Sequence, residues 1–231
     1  MVSEHRITID IETIPDQRPG AADAARSRVM APSNYKDPAK IEAYIAAKAD
    51  EAWRRTSLDG GYGEIIVIGY AFGDDEPTAI YRDSLGPGSE RALLEGFWEM
   101  LDERLVPDPT WVGQYVHAFD LRFLWRRSVI HGIVPSRKLP MNAPPWSREV
   151  ADVSYMWTGE RGRGIKLGDL AEILGLPTPK DDMDGSMVWD YFQEGRIKEI
   201  VDYCVGDVNT ARAAFLKMSF LESMSATPEE V

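Results

Sequence analysis

The sequence predicts an α/β fold in which a central β-sheet is flanked by helices, and three observations support this prediction. Short apolar segments of strand character alternate along the chain with amphipathic segments of helical periodicity. One strand segment is apolar throughout, as expected for a strand that is covered on both faces. The chain has 231 residues, 44% of them hydrophobic, which suits one domain with a substantial core. We therefore expect a single domain over residues 1–231.

Four segments carry the strand signal. Residues 6–12 alternate between apolar and polar side chains, so Ile7, Ile9 and Ile11 share one face while Thr8, Asp10 and Glu12 share the other. Residues 64–72 form the apolar strand, residues 77–82 are expected to pair beside it, and residues 111–114 form a further short strand.

Helical periodicity and capping residues predict the flanking helices. Ser89 is expected as the N-cap of the first, and Gly175 follows the end of another. The predicted helices after the second strand cover about 90–105, 120–131, 166–174, 187–193 and 196–220. The polar residues 222–231 are expected to form a flexible tail.

Residues 13–63 separate the first two strands and are too long for an ordinary connection. Pro38 and the apolar residues that follow it predict one helix within this segment. Residues 18–55 carry eight Lys/Arg and five Asp/Glu, whereas the whole chain has a net charge of −12. We expect a basic, lid-like helical insertion on an acidic body.

The composition restricts the classes of function. A net charge of −12 argues against a protein that coats long nucleic acid with its whole surface, but it allows one that grips a few nucleotides beside clustered carboxylates. No apolar stretch approaches a membrane span, no signal segment precedes the first strand, and the single cysteine, Cys204, excludes an internal disulfide. These features predict a cytoplasmic protein without a membrane partner.

Three places in the sequence carry candidate chemistry. Asp10 and Glu12 project from one face of a strand, where they repel each other unless a cation or solvent separates them; taken alone, such a pair is usually a solvated face. Asp120 opens a helix, and is either a helix cap or a third carboxylate at a strand-to-helix corner, or both. Tyr203 and Asp207 are one helical turn apart on the last helix, a spacing that alone is usually structural.

Together, these places carry a specific resemblance. The segments DIE (10–12), HAFD (117–120) and YCVGD (203–207) resemble, in order and spacing, the motifs of the DEDD exonuclease superfamily, and the tyrosine resembles its DEDDy branch. The stretches KLGDLAEILGLP and DMDGSMVWDYFQEGRIKEIVDYCVGDV are similar to the exonuclease domains of family B DNA polymerases and their free-standing, often phage-borne relatives. No polymerase domain follows, so the enzyme is expected to act alone or as a separate subunit.

This resemblance implies a ribonuclease H-like fold with a mixed sheet. It also implies a 3′→5′ exonuclease that acts on the 3′ end of DNA, single-stranded DNA in particular, with two divalent cations, Mg²⁺ or Mn²⁺. Asp10 would bridge the cations, Glu12 and Asp207 would complete one site, Asp120 would hold the other, and Tyr203 would orient the attacking water. One departure is Tyr115, which stands where many relatives have an asparagine near the penultimate nucleotide.

Further residues are candidates for nucleic-acid contact. Trp53, Arg54 and Arg55 end the predicted insertion helix and would meet a strand by stacking and charge, unless Trp53 only packs on the body. A glycine-rich loop carries Arg161, Arg163 and Lys166, which would hold phosphates, although a plain basic loop explains them equally well. Tyr115 and Phe119, beside Asp120, complete the set.

Three alternatives to a DNA exonuclease stay open. An RNA-trimming exonuclease would use the same chemistry, and the sequence has no reliable sensor for the 2′-hydroxyl. A catalytically silent nucleic-acid-binding module is disfavoured by the presence of all four acids and Tyr203. A structural protein would leave the coincidence of three motifs unexplained. The histidines His5, His117 and His131 share no metal-ligand spacing and are expected to be structural or solvent-facing.

Overall fold

The computed structural model describes residues 5–104, 108–144, 147–159, 162–177 and 183–221. One five-stranded sheet has the order β3-β2-β1-β4-β5. Its strands are β1 Arg6–Ile14, β2 Glu64–Phe72, β3 Thr78–Tyr81, β4 Thr110–Gly113 and β5 Val150–Asp152. The β1–β2 and β2–β3 pairs are antiparallel, whereas the β1–β4 and β4–β5 pairs are parallel. The predicted α/β fold with a mixed sheet is therefore confirmed.

Helices cover both faces of this sheet. They are α1 Ala21–Ser27, α2 Pro38–Arg54, α3 Ser89–Glu103, α4 Asp120–His131, α5 Val153–Thr158, α6 Leu167–Leu174, α7 Val188–Gln193 and α8 Ile197–Met218, with short 3₁₀ turns at Arg55–Leu58 and Gly185–Met187. Helices α3 and α4 share a core with one face of the sheet, and α6, α7 and α8 pack on the other.

The alternation along β1 orients the acidic residues. Ile7, Ile9 and Ile11 lie in the core formed with α3 and α4. Asp10 projects from the opposite face and contacts Cys204 of α8. Because successive side chains of a strand point to opposite faces, one apolar face anchors β1 and the other presents carboxylates to α8.

The parallel part of the sheet places these carboxylates at a strand-end edge. Pairing of β1 with β4 stops at Thr8, so Asp10 and Glu12 lie beyond the end of β4. Gly113 and Asp152, the last residues of β4 and β5, pair with each other at the same edge. The carboxyl ends of parallel strands are the usual place for ligands in an α/β sheet.

A glycine lets α8 approach this edge closely. Gly69 of β2 pairs with Asp10, and a Cβ added at Gly69 would lie 2.8 Å from Sγ of Cys204 and 3.0 Å from Cγ2 of Val208. Any larger residue would therefore push α8 outward. The absence of a side chain at Gly69 keeps α8 at the distance from which it reaches the β1 carboxylates.

The structure corrects four local predictions. The insertion contains two α-helices, α1 and α2, and a 3₁₀ turn, where one helix was predicted. Gly88, rather than Ser89, is the N-cap of α3, and Ser89 instead accepts a hydrogen bond from Arg82. Phe119, rather than Asp120, is the N-cap of α4, which frees the Asp120 side chain from capping. Strand β5 and helix α5 were not predicted. The predicted tail 222–231 lies outside the described residues.

The end of the insertion is fastened to the body of the protein. The indole N–H of Trp53 donates to the carbonyl of Asp16 at 2.8 Å, and its ring meets that of Trp189 edge-to-face at 5.4 Å. Arg54 donates to both carboxylate oxygens of Asp190 on α7. Because these contacts join α2 to α7, the insertion stands in a defined orientation beside β1. Its role as a lid stays a prediction.

Candidate active site

Four carboxylates and one phenol from three elements converge at the edge of the sheet. The four carboxylates act on the ionisation of one or more neighbours in the group, and three of them act on the phenol, which requires that the five groups lie close together. They are Asp10 and Glu12 of β1, Asp120 of α4, and Tyr203 and Asp207 of α8. The structure thus brings together all five residues that the sequence selected as the catalytic set.

Asp10 and Glu12 lie beside the only cysteine. One carboxylate oxygen of each residue and Sγ of Cys204 all lie within 4.8 Å of one another. The Cys204 thiol donates to Oδ2 of Asp10 at 3.4 Å and to its carbonyl oxygen at 3.5 Å. Burial raises the pKa of Cys204 well above its usual range, and the charges of Asp10 and Glu12 raise it further. The thiol therefore remains protonated and acts as a donor to Asp10.

The carboxylates of β1 are held in an environment that disfavours their charged forms. Burial raises the pKa of Glu12 well above its usual range, and the negative charges of Asp10, Asp207 and Asp120 raise it further. Burial also raises the pKa of Asp10, to which the charge of Asp207 adds. A cation beside these two carboxylates would therefore stabilise their charged forms.

Asp120 ties α4 to the first strand. The side chain is only 2% exposed, and its Oδ1 accepts the backbone N–H of Ile11 at 3.1 Å. Burial raises the pKa of Asp120 well above its usual range, followed by the charge of Asp10, whereas the N–H of Ile11 lowers it. The hydrogen bond fixes the Asp120 carboxylate next to the residue that separates Asp10 from Glu12 on β1.

Tyr203 and Asp207 act as a pair on α8. Burial, followed by the charges of Asp207, Glu12 and Asp10, raises the pKa of Tyr203 far above its usual range. The phenol also hydrogen-bonds to Asp207, and raises its own pKa further by doing so. At neutral pH the phenol is therefore protonated. It donates a hydrogen bond to the Asp207 carboxylate and is unsuited to act as a base.

The donor set fits a hard divalent cation. None of the ion pairs between described residues includes Asp10, Glu12 or Asp120. Buried carboxylates normally lie beside a basic group or a metal. Clustered carboxylate oxygens are the ligands that Mg²⁺ and Mn²⁺ prefer, so the residues present fit such ions.

The predicted nucleic-acid contacts of the insertion differ in their surroundings. Trp53 is half-buried against Trp189, and Arg54 is engaged by Asp50 and Asp190. The Arg55 side chain is 73% exposed, with a distant contact to Glu51 at 3.9 Å. Of the three, Arg55 has the side chain best placed to meet a strand from solvent. Thr13, Arg54 and Arg55 line a groove of about 370 Å³ between the insertion and the Gly185–Trp189 segment.

A second set of contacts surrounds the turn before α4. Tyr115 is exposed, and its hydroxyl lies 1.5 Å from the position that a Cβ on Gly164 would take, so the loop passes against the hydroxyl end of the ring. This places the exposed Arg163 and Lys166 beside the same turn. Phe119 packs against Phe123 at 5.4 Å between ring centres. The predicted contact Arg161 lies outside the described residues.

A cavity of about 230 Å³ adjoins this turn, and its wall contains a residue that sequence reasoning missed. Tyr115, His117, Asp152, Ser154 and Tyr155 line it. Burial raises the pKa of Asp152, and its charge in turn raises the pKa of Asp120. The sequence signal was only a helix cap, because Asp152 precedes a helix too short to be recognised. Of the other histidines, His131 is a structural partner of Glu90 at 2.7 Å.

The fold and this cluster define a class, the α/β proteins with a carboxylate-rich site at the edge of the sheet. The chain belongs more narrowly to the family described as predicted 3′-5′ exonucleases related to the exonuclease domain of PolB, whose model matches residues 64–230. The match includes Asp120, Tyr203 and Asp207, and β1 precedes it.

Among the proteins similar to this chain, two match most of its length. An uncharacterized protein of Methanocaldococcus jannaschii is 28% identical over 151 residues, which cover 64% of this chain and 79% of that protein. The family B DNA polymerase of the archaeon Pyrobaculum calidifontis shares the fold, with a TM-score of 0.56 and 16% identity. That match covers 93% of this chain, which spans only 24% of the polymerase. No helix among the described residues is long and apolar enough to cross a membrane.

Proposed function

We propose that this protein is a 3′→5′ exonuclease that hydrolyses the terminal phosphodiester bond of single-stranded DNA and depends on two divalent cations, Mg²⁺ or Mn²⁺. The observation that carries the proposal is the convergence of Asp10, Glu12, Asp120 and Asp207. The charge of Asp207 raises the pKa of Asp10 and of Glu12, and the charge of Asp10 raises the pKa of Glu12 and of Asp120. The family's description as predicted PolB-related exonucleases supports the reaction and its direction.

The four carboxylates would bind the two ions in different combinations. Asp10, whose charge acts on both Glu12 and Asp120, would help to hold both ions, with Glu12 and Asp207 completing one site and Asp120 the other. When bound, such ions supply an activated water and stabilise the charge on the departing 3′ oxygen. The protein holds these ligands through the N–H of Ile11 on Asp120, the Cys204 thiol on Asp10 and the Tyr203 phenol on Asp207.

Tyr203 contributes orientation rather than proton abstraction. Its phenol is protonated at neutral pH because burial and three carboxylates raise its pKa. A phenol that donates to Asp207 can also accept a hydrogen bond, so it can align a water molecule on the Asp207 side of the cluster. This assignment differs from general-base catalysis in that it requires no deprotonation of Tyr203.

The DNA strand would approach between two basic edges. Arg55 projects from the insertion, beside the groove that contains Thr13, the residue after Glu12. Arg163 and Lys166 lie on the loop that meets the Tyr115 hydroxyl. A few cations at one end of a strand supply local affinity despite the net charge of −12. Trp53 and Arg54 would act mainly by fixing the insertion to α7.

A cleavage assay tests this function. Single-stranded DNA, duplex DNA and RNA, each labelled at the 5′ end, are incubated with Mg²⁺, Mn²⁺ or EDTA. We expect a ladder that shortens one nucleotide at a time on single-stranded DNA, only with metal, and stops at a blocked 3′ end. Asp10→Ala, purified in parallel, is the control for a contaminating nuclease and should be inactive.

The other outcomes separate the alternatives. Faster shortening of RNA would assign the protein to RNA trimming instead. Binding of single-stranded DNA without cleavage under any metal condition would show a silent binding module. Cleavage that persists in EDTA or in Asp10→Ala would refute the assignment of the carboxylates.

A further inference from the structure

Asp152 makes the contacts of an ordinary helix cap. It is the last residue of β5 and the N-cap of α5, and its Oδ1 accepts the backbone N–H groups of Ser154 at 3.1 Å and Tyr155 at 3.3 Å. Such capping is worth about 1 kcal/mol and is common for aspartate. These two bonds alone would give Asp152 a role only in the stability of α5.

The same carboxylate also binds a segment far away in sequence. It accepts the backbone N–H of Tyr115 at 3.1 Å and that of His117, both in the turn between β4 and α4. Asp152 thus joins β5 and α5 to this turn. Tyr115 has a φ of 53°, a left-handed conformation that a tyrosine rarely adopts and that surrounding contacts must maintain.

This turn leads directly into Asp120. The carbonyl of Tyr115 accepts the N–H of Phe119 at 2.9 Å, and the carbonyl of Val116 accepts the N–H of Leu121 at 3.0 Å. Asp120 therefore lies between two residues whose backbones are bonded to the turn. Any shift of Tyr115 would move Asp120 relative to Ile11 and the other carboxylates.

The geometry points to Asp152 as a positioning residue for Asp120: by holding the left-handed turn at Tyr115 and His117, it sets the place of the Asp120 carboxylate in the acidic cluster. This inference rests on the proposed function only in taking the cluster as a cation site. Asp152 itself contacts neither the ion nor the strand in this role. Removal of such outer partners of metal ligands typically costs about 10- to 100-fold in metal affinity or activity.

One substitution separates the two roles of Asp152. Serine is as good a helix cap as aspartate, so Asp152→Ser preserves the bonds to α5. Its single hydroxyl is too short and has too few acceptor sites to reach Tyr115 and His117 as well. Asp152→Asn is the conservative variant, since its amide oxygen can still accept from Tyr115 while its NH₂ group cannot accept from His117.

A matched substitution controls for the loss of an aspartate cap. Asp37 caps α2 by accepting the N–H of Ala39 at 2.9 Å, and this helix lies in the insertion. Asp37→Ser makes the same chemical change without touching the turn before Asp120. Its affinity for Mn²⁺ should equal that of the unmodified protein.

The measurement is Mn²⁺ affinity, from the free-ion signal in electron paramagnetic resonance, with thermal unfolding of each metal-free protein alongside. Asp152→Ser should bind Mn²⁺ about 10- to 100-fold more weakly, and Asp152→Asn should recover part of the loss. The single-turnover rate of Asp152→Ser on single-stranded DNA, at saturating Mn²⁺, should fall too. An unchanged Mn²⁺ affinity in both folded variants would overturn the inference and leave Asp152 as a cap.

This outcome is distinguishable from failure of the proposed function. If the unmodified protein binds Mn²⁺ but cleaves no DNA or RNA, the exonuclease proposal fails while the Mn²⁺ affinities still decide the role of Asp152. If it cleaves DNA and both Asp152 variants bind Mn²⁺ and cleave as it does, the exonuclease proposal stands and the positioning role is refuted.

Discussion

Replacing Glu12 by glutamine should stabilise the metal-free protein, although it removes a proposed metal ligand. Glutamine has nearly the same shape as glutamate but carries no charge. Glu12 is buried, and burial together with the charges of Asp10, Asp207 and Asp120 raises its pKa. The substitution removes this repulsion while the surrounding packing is kept.

The distance between the carboxylates sets the magnitude. Oxygens of Asp10 and Glu12 lie within 4.8 Å, where two unit charges repel by about 3 kcal/mol at an effective dielectric constant of about 20. This is an upper value, because a carboxyl can retain a proton instead of bearing the repulsion. We expect a gain of about 1 to 3 kcal/mol, each kcal/mol raising Tm by about 2 to 4 °C in a chain of this length.

The gain should depend on pH in one direction. The folded-state pKa of Glu12 is raised above its unfolded value of about 4.3. Protonated Glu12 therefore contributes its full share to the free energy of unfolding below a pH of about 4.3, and this contribution is lost as pH rises through the folded-state pKa. The unmodified metal-free protein therefore loses stability over this window, and Glu12→Gln does not. The difference in Tm should be small at pH 4 and largest at pH 8.

Glu90→Gln is the matched control, because the same chemical change should lower the stability of the protein instead of raising it. Burial acts to raise the pKa of Glu90, but the hydrogen bonds and charge of Arg127 and the bond to His131 lower it below its usual value. Its stabilising contribution is present above the unfolded pKa and is lost as pH falls through the folded one. Because Glu90→Gln disrupts a buried ion pair, it should cost about 3 to 5 kcal/mol at pH 8.

Thermal unfolding of the three proteins in EDTA, from pH 4 to pH 8, followed by titration with Mn²⁺ at pH 8, checks this reasoning. Mn²⁺ should raise the Tm of the unmodified protein, since a ligand that binds only the folded state stabilises it, and should raise that of Glu12→Gln much less. A lower Tm for Glu12→Gln at pH 8, or an equal gain at pH 4 and pH 8, would refute the repulsion argument.

Four further predictions follow from the same geometry. Asp10→Ala and Asp207→Ala should fold, by circular dichroism, yet lose metal-dependent nuclease activity; activity in either one contradicts its assignment. Tyr203→Phe should keep its affinity for single-stranded DNA, while Mn²⁺ affinity or single-turnover cleavage falls about 10- to 100-fold because Asp207 loses its hydrogen-bond partner; normal values of both would leave the ring a packing role alone. Arg55→Ala should raise KM and flatten the slope of log affinity against log salt by about 0.7 for single-stranded DNA, and an unchanged slope would remove Arg55 from the interface. Gly69→Ala should lower the free energy of unfolding by about 1 to 3 kcal/mol, because the added methyl group overpacks against Cys204. In urea titrations the double variant Gly69→Ala, Cys204→Ala should regain part of this lost stability, and no regain would locate the strain elsewhere.

Some features of this protein follow from local sequence patterns. The alternation of Ile7, Ile9 and Ile11 with polar residues fixes which face of β1 is apolar, because side chains of a strand alternate between faces. The positions of Gly132 and Gly175 after α4 and α6 mark the ends of these helices, since both adopt the left-handed conformation that glycine tolerates. Motif order and spacing selected the five residues of the candidate site.

Other features depend on contacts between segments distant in sequence. Strand β5 has only three residues, and α5 only six, so neither leaves a periodic signal. The local sequence made a cap the simplest interpretation of Asp120, but its carboxylate instead accepts the N–H of Ile11, 109 residues away. A hydrogen bond of this kind leaves no trace in local periodicity.

For the insertion and for the electrostatics of the site, too, the sequence determined some features and the tertiary structure others. Composition predicted the basic character of the insertion, whereas only the structure showed that Arg54 is engaged by Asp190 and that Arg55 remains exposed. The sequence determined by itself which carboxylates are present and on which elements they lie. The tertiary structure decided that they lie together, with Glu12 and Asp120 buried and Asp10 and Asp207 half-buried. Burial and repulsion depend on distances across the sheet and α8, and separate segments set these distances only when they pack.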